Sequence, residues 1–336
     1  MTKRILLALL TTLVLAGAAI TYTVHAMGER PDRQQADASV LVDRSGAVRL
    51  DEPGRLVFRN TAPGPDHGKV ASVSLADPTG PRRISALSCD RFYVSAGAGL
   101  CLASAPGPLP SAVAVFVDKE LREVRRVELA GMPNRAKLSP DGLMASWTTF
   151  VTGDTYTTPG TFSTRTGIMD RAQDQLYSNI EGIPLLLAGE RHHAEDINYW
   201  GVTFARGNKH FYATVATGGR THLVAGDYDA WEARTLRENA ECPSLSPDGT
   251  RLAFKKRVST DGARPWREHV LDLATMTETP LAETRSVDDQ AAWLDARTVA
   301  YSLPNERGGS DVWAVPADGS GAPRLLVPSG ASPSST

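Results

Sequence analysis

The residues whose types suit chemistry are few and scattered. His192-His193-Ala194-Glu195-Asp196 is the densest cluster of possible metal ligands. Imidazole and carboxylate together suit zinc or a similar ion. The spacing matches no recognised metal motif such as H-E-x-x-H. Adjacent residues of an extended segment point to opposite faces, so His192 and His193 do not easily share one ion. No metal and no cofactor are therefore expected. The chain has no G-x-S-x-G elbow and no α/β-hydrolase-like segment. It also lacks an Asp-box repeat. Paired carboxylates can do acid–base work, but no two here are shown by sequence to face each other. The protein is expected to be non-catalytic.

The ends and the composition narrow the setting. Lys3 and Arg4 precede an apolar run of 16 residues, Ile5 to Ile20, and Val24 and Ala26 follow at signal-peptidase spacing. This is the arrangement of a secretory signal. Residues 1–26 are read as a signal peptide or membrane anchor, with membrane contact only through residues 5–20 if the segment is retained. Residues 27–39 are read as a linker. The run 329–336 is rich in Ser, Pro, Gly and Ala and reads as a disordered tail. A net charge of −2 over 336 residues gives no basic excess for nucleic acid. The expected location is secreted or anchored outside the cytoplasmic membrane.

Between the ends the pattern is that of short strands. Arg55-Leu-Val-Phe58, Ala112-Val-Ala-Val-Phe-Val117, His210-Phe-Tyr-Ala-Thr-Val215, Arg251-Leu-Ala-Phe254 and Asp311-Val-Trp-Ala-Val315 are β-rich runs. Gly, Pro, Asn and Asp clusters separate them, which indicates an all-β domain. A repeat is visible. Leu138-Ser-Pro-Asp-Gly142 and Leu245-Ser-Pro-Asp-Gly249 each lead into an apolar strand. Proline ends one strand, and Asp-Gly supplies the tight turn into the next. Weaker copies place turns near 54, 98, 207 and 296. The mean spacing is about 48 residues, close to that of propeller repeats. The longest interval, between the third and fourth turns, predicts an inserted loop within Thr152 to Gly182.

The sequence LSPDG followed by an apolar strand, then SDVWAVPADGSGAPRLLV, resembles the repeat of TolB-like proteins, a WD40-like family. The resemblance covers residues 40–328 and implies a six-bladed β-propeller of four-stranded antiparallel blades. The separate N-terminal α/β domain of that family has no counterpart in the short segment before the first repeat. That departure leaves the family's envelope partner binding as an expectation only, because one fold hosts many functions.

In such a propeller the innermost strand of each blade lines a central channel. Counting back from the turns places Asn134 and Arg135 of the third blade at one mouth. Asp196, Asn198 and Trp200 of the fourth join them, with Glu241 of the fifth and Asp288, Asp289 and Gln290 of the sixth. Converging polar groups around a concavity form a binding-site hypothesis. Arg135, Asp196, Trp200, Glu241, Asp288 and Asp289 are the candidate binding residues. The long loops Asn60–Gly68, Thr152–Phe162, Ser259–Trp266 and Pro304–Ser310 open onto the same face. The expected role is a binding or scaffold module for a protein or an envelope polymer. The alternative is a small-molecule binder or a hydrolase-type enzyme using the mouth.

Cys89 and Cys101 fall in the first two strands of the second blade and are the expected disulfide. A strict hairpin register leaves Cys89 several residues beyond Cys101, while a bridge needs Cα atoms within about 7 Å. Cys242 is read as a small buried hydrophobe. Lys255-Lys-Arg257 is read as a solvated basic run. Trp147, Trp293 and Trp313 are read as inter-blade core, and Trp231 and Trp266 as loop residues suited to contact. How the ring closes is left open. Val40 to Leu50 is free either to add a strand to the last blade or to complete the first.

Overall fold

The computed structural model describes residues 40–107, 111–152 and 162–336. The apolar run, the linker 27–39 and most of the loop Thr152–Phe162 lie outside the described residues. The first repeat supplies β1 (Arg55–Asn60), β2 (Lys69–Ser74) and β3 (Arg83–Ser88). The second blade is β4 (Arg91–Ser95), β5 (Ala98–Ala105), β6 (Ser111–Val117) and β7 (Glu123–Ala130). The third is β8 (Met132–Leu138), β9 (Met144–Thr152), β10 (Phe162–Asp170) and β11 (Gln175–Tyr177). A short hairpin follows, β12 (Leu185–Leu187) and β13 (Glu190–His192). The fourth blade is β14 (Asn198–Phe204), β15 (His210–Thr217), β16 (Arg220–Asp227) and β17 (Glu232–Glu238). The fifth is β18 (Glu241–Leu245), β19 (Arg251–Arg257), β20 (Trp266–Asp272) and β21 (Glu278–Pro280). The sixth is β22 (Ala292–Trp293), β23 (Thr298–Pro304), β24 (Ser310–Pro316) and β25 (Arg324–Val327). Last comes β26 (Gly330–Ser335). Six sheets result, each built on four antiparallel strands, and the described residues contain no helix.

The two strong repeats show why their sequence makes a turn. Ser139 Oγ donates to Asp141 Oδ1 at 2.5 Å, and the same oxygen takes the Leu143 N–H at 3.0 Å. Ser246, Asp248 and Thr250 repeat this at 2.5 and 3.1 Å. Gly142 and Gly249 sit at φ of 72° and 77°, a region that glycine enters without steric cost. These bonds hold Asp248 well below the usual carboxylate range, at about 2.

Each blade is apolar on both faces because each packs against two neighbours. Leu56 and Phe58 of β1 face the sixth blade at Val312 and Leu326. Val57, between them, faces the second blade at Phe92 and Val94. The alternation of a pleated strand sends successive side chains to opposite faces. Among the described residues six buried clusters occur, each joining two neighbouring blades around the ring.

Closure takes neither of the two routes left open for Val40 to Leu50. The run 329–336, read as a disordered tail, contains β26, which pairs with β1 as the innermost strand of the first blade. Among the described residues, Val40 to Leu50 adds no strand to either blade. Val42 makes only an isolated bridge to Arg82. Polar and Pro-rich composition suits an inner strand. It is an edge strand facing the channel, where proline costs no ladder bond. Pro133, Pro243 and Pro333 occupy β8, β18 and β26, three inner strands.

The insertion also takes a different form. Leu185 and Leu186 of β12 pair in parallel with Ala233 and Arg234 of β17, so the extra residues extend the fourth sheet to six strands. The disulfide forms as expected, with Cα atoms of Cys89 and Cys101 5.5 Å apart. Cys89 lies just before β4 rather than within it, and Cys242 is free and buried.

Candidate functional site

The inner strands reach the mouth through a recurrent irregularity. Pairing slips at Pro133/Arg135, at Trp200/Thr203 and at Glu241/Ser244. Such bulges re-aim side chains at sheet edges. Gly201 and Cys242 lie in the slips at positive φ, 63° and 50°. A Cβ on Gly201 would stand 2.8 Å from Cys242 Cα, so only glycine fits there.

A cavity of about 640 Å³ opens at this mouth. Arg135, Asp196, Trp200, Glu241 and Asp288, five of the six residues singled out by sequence, line it together. Asn134 and Asn198 join them. The sixth, Asp289, lies deeper. It is buried and accepts the Arg91 guanidinium at 3.1 Å across the channel.

The cavity is blind. Lys137 Nζ of β8 donates to Ser244 Oγ of the fifth blade at 2.8 Å. Gln290 Nε2 donates to the carbonyl of Pro243 at 2.9 Å and to that of Val202 at 3.3 Å. Trp293 Nε1 donates to the Ser244 carbonyl at 2.8 Å. These bonds join the third, fourth, fifth and sixth blades beneath the cavity. A gap of only about 30 Å³ persists among Arg91, Tyr93, Lys137 and Asp289, room for about one water.

The electrostatics centre on Lys255. Sequence reading placed it in a solvated run, yet it is buried, lines the cavity, and sits 2.5 Å from Asp288 Oδ1 and 3.9 Å from Glu241 Oε2. Arg135 NH2 approaches the same Asp288 oxygen at 3.5 Å. Trp266 is not a loop contact residue. It is buried at the start of β20, with the Lys255 ammonium 4.1 Å and the Arg257 guanidinium 4.4 Å from its ring centre. A cation over an aromatic face is attracted by its quadrupole. The period-2 pattern of β19, which buries Ala253 and Lys255 alike, was the available signal.

Burial pushes the Glu241 carboxyl above its usual range, against the pull of Lys255. Burial pushes Lys137 down to about 7, with Asp289 opposing. Asp196 serves a structural task as well. Its two oxygens take Thr217 Oγ1 at 2.8 Å and the Gly218 N–H at 2.6 Å. His192 Nε2 lies 2.8 Å from the same Thr217 hydroxyl. Among the described residues no three His, Cys, Asp or Glu converge as a metal site.

These features define a six-bladed β-propeller with a blind polar cavity at one mouth. The fold is TolB-like. The chain matches the crystal structure of TolB from Acinetobacter baumannii with a TM-score of 0.60 and 17% identity, over 84% of this chain and 66% of that one. It matches the structure of a nidogen/laminin complex with a TM-score of 0.54 and 12% identity, over 83% and 97%. A puromycin-hydrolyzing peptidase of Mycobacterium tuberculosis aligns with a TM-score of 0.49 and 15% identity, over 88% and 46%. Likeness at these identities is likeness of fold. No family model and no curated protein matches the chain.

Proposed function

We propose that this propeller is a non-catalytic binding module whose mouth cavity receives a segment of a protein or envelope polymer outside the cytoplasm. One observation carries the reading. Side chains from the third, fourth, fifth and sixth blades converge on a single blind cavity of about 640 Å³. Its fourth-blade side combines Trp200 and Ile197 with Glu181, Glu195 and Asp196. That mixture suits a segment carrying an apolar anchor beside a basic group, as interface hot spots commonly do. Met132 and Val258 add exposed apolar surface. The disulfide supports an oxidising compartment, and the TolB and nidogen folds support a partner that is a protein. A second reading, a small-molecule binder or hydrolase, draws on the displaced carboxyl of Glu241, since such groups gather at functional sites.

The test uses residues 27–336 as bait against an envelope extract, with captured proteins identified by mass spectrometry. The control bait carries Trp200→Ala and Glu195→Lys, which leave the Lys255 ion pairs intact. Capture of a defined protein by the native bait and not by the control supports the reading. Equal capture by both moves the site away from the mouth. No capture, with a thermal shift on a small-molecule library, favours the second reading.

A further inference from the structure

Beneath the cavity lies a carboxyl that the binding reading does not use. Glu268 of β20 is 1% exposed, and neither of its oxygens has a hydrogen-bond partner. It stands directly opposite Lys255 in the antiparallel register of β19 and β20. Residues so paired have Cβ atoms about 5 Å apart, within reach of a lysine side chain. Yet the Lys255 ammonium is held elsewhere, 2.5 Å from Asp288 and over Trp266.

We propose that Glu268 is a proton switch under the mouth: when it ionises, it draws the Lys255 ammonium from Asp288 and leaves Asp288 with the more distant Arg135 guanidinium, at 3.5 Å, as its counter-charge in the cavity. The charged groups that act most strongly on Glu268 come from the third, fifth and sixth blades. They are Lys255 on β19, Arg135 on β8, and Asp288 and Asp289 on the segment entering β22. Tyr301 of β23 also feels it, but its hydroxyl is committed to Glu283 Oε2 at 2.7 Å.

An ionised carboxylate buried with no protein partner on either oxygen is costly, so the neutral acid is the form compatible with this packing. Burial first, then repulsion from Asp289, pushes Glu268 up to about 8, with Lys255 and Arg135 opposing. Below that pH, Lys255 neutralises Asp288. Above it, the ammonium has three claimants, Asp288, Glu241 and Glu268, and of these Glu268 has both oxygens without a hydrogen-bond partner. The device belongs to the chain whatever the cavity receives, so it does not rest on the binding reading.

The test is an NMR titration of residues 27–336 from pH 5 to 10, with glutamate side-chain carboxyls labelled with ¹³C and tryptophan indoles with ¹⁵N. We expect one carboxyl with a midpoint near 8, absent in Glu268→Gln and retained in Glu241→Gln. The Trp266 indole, assigned with Trp266→Phe, should shift with the same midpoint and become flat in Glu268→Gln. If no glutamate in the native protein titrates above pH 6, the switch is refuted without any variant. A carboxyl midpoint near 8 with a motionless Trp266 indole refutes the movement of Lys255.

Discussion

Deleting residues 330–336 separates two incompatible accounts of the C-terminal segment. A disordered tail contributes nothing, whereas β26 is the inner strand of the first blade. Its backbone pairs with Leu56, Val57, Arg59 and Asn60. Side chains add further ties. Ser334 Oγ accepts the Val94 N–H at 3.3 Å, Ser302 Oγ accepts the Ser332 N–H at 3.1 Å, and Thr336 Oγ1 donates to the Glu52 carbonyl at 2.5 Å. Each such bond is worth about 1 kcal/mol net. Ordering seven residues costs about 1–2 kcal/mol each, so bonds and entropy nearly cancel or fall short. The balance is decided by apolar surface that β26 covers. Gly330 lies against Phe58, Val312 and Val327, all fully buried. Fully exposing one such side chain costs about 1.5–3 kcal/mol, so uncovering parts of all three costs about 4 kcal/mol. That is a large share of the roughly 5–15 kcal/mol that holds a domain together. Urea unfolding followed by tryptophan fluorescence is the assay. We expect the truncated protein to lose about 4 kcal/mol or to fail to fold. An unchanged midpoint and slope would refute the closure argument and restore the tail.

Further outcomes follow from the same structure. Glu268 binds its proton in the folded state up to about pH 8 but in the unfolded chain only up to about 4.5. Its contribution is therefore full below 4.5 and is lost as pH rises to 8, by up to about 5 kcal/mol at about 1.4 kcal/mol per unit. Lys137 acts oppositely. Its folded value of about 7 lies below the unfolded 10.5, so stability rises between pH 7 and 10.5 as the unfolded chain gives up its extra proton. Urea midpoints should thus pass through a minimum near pH 7–8, with Glu268→Gln flattening the acid side and Lys137→Met the alkaline side. Replacing Cys89 and Cys101 together by Ser should cost about 3 kcal/mol, read as a fall in Tm matched by reductant on the native protein. Gly201→Ala forces a Cβ toward Cys242 at positive φ and should cost about 1–3 kcal/mol by chemical denaturation.

The architecture was legible because its carriers are local. Leu138 to Gly142 and Leu245 to Gly249 specify strand, turn and strand within a few residues, and their spacing gives the ring. Five residues of the mouth were legible for a similar reason: Arg135, Trp200, Glu241 and Asp288 lie about seven or eight residues before their turns, and Asp196 lies a few residues further back. Lys255 and Glu268 were not. The alternation of β19 hints at the burial of Lys255, but its pairing with Asp288 and the cover that the sixth blade gives Glu268 lie outside any short window. The segment Gly330 to Ser335 was misread because an inner strand faces polar groups and has a free edge. It needs neither the apolar alternation nor the donor pattern that marks a central strand. The hairpin Leu185 to His192 escaped because a three-residue strand leaves no periodicity to detect.

The closing strand also sets an order in time. The inner partner of β1, β26, follows every other described strand in sequence, so a growing chain exposes that edge of β1 until almost all of the domain has emerged. Unpaired edges invite pairing with other chains. Each blade can pair its four strands as they appear, except the first. The ring is therefore a fold that synthesis can prepare from one end but can complete only from the other. During that interval β1 must be shielded, whether by a folding factor or by the speed with which Gly330 to Ser335 arrives.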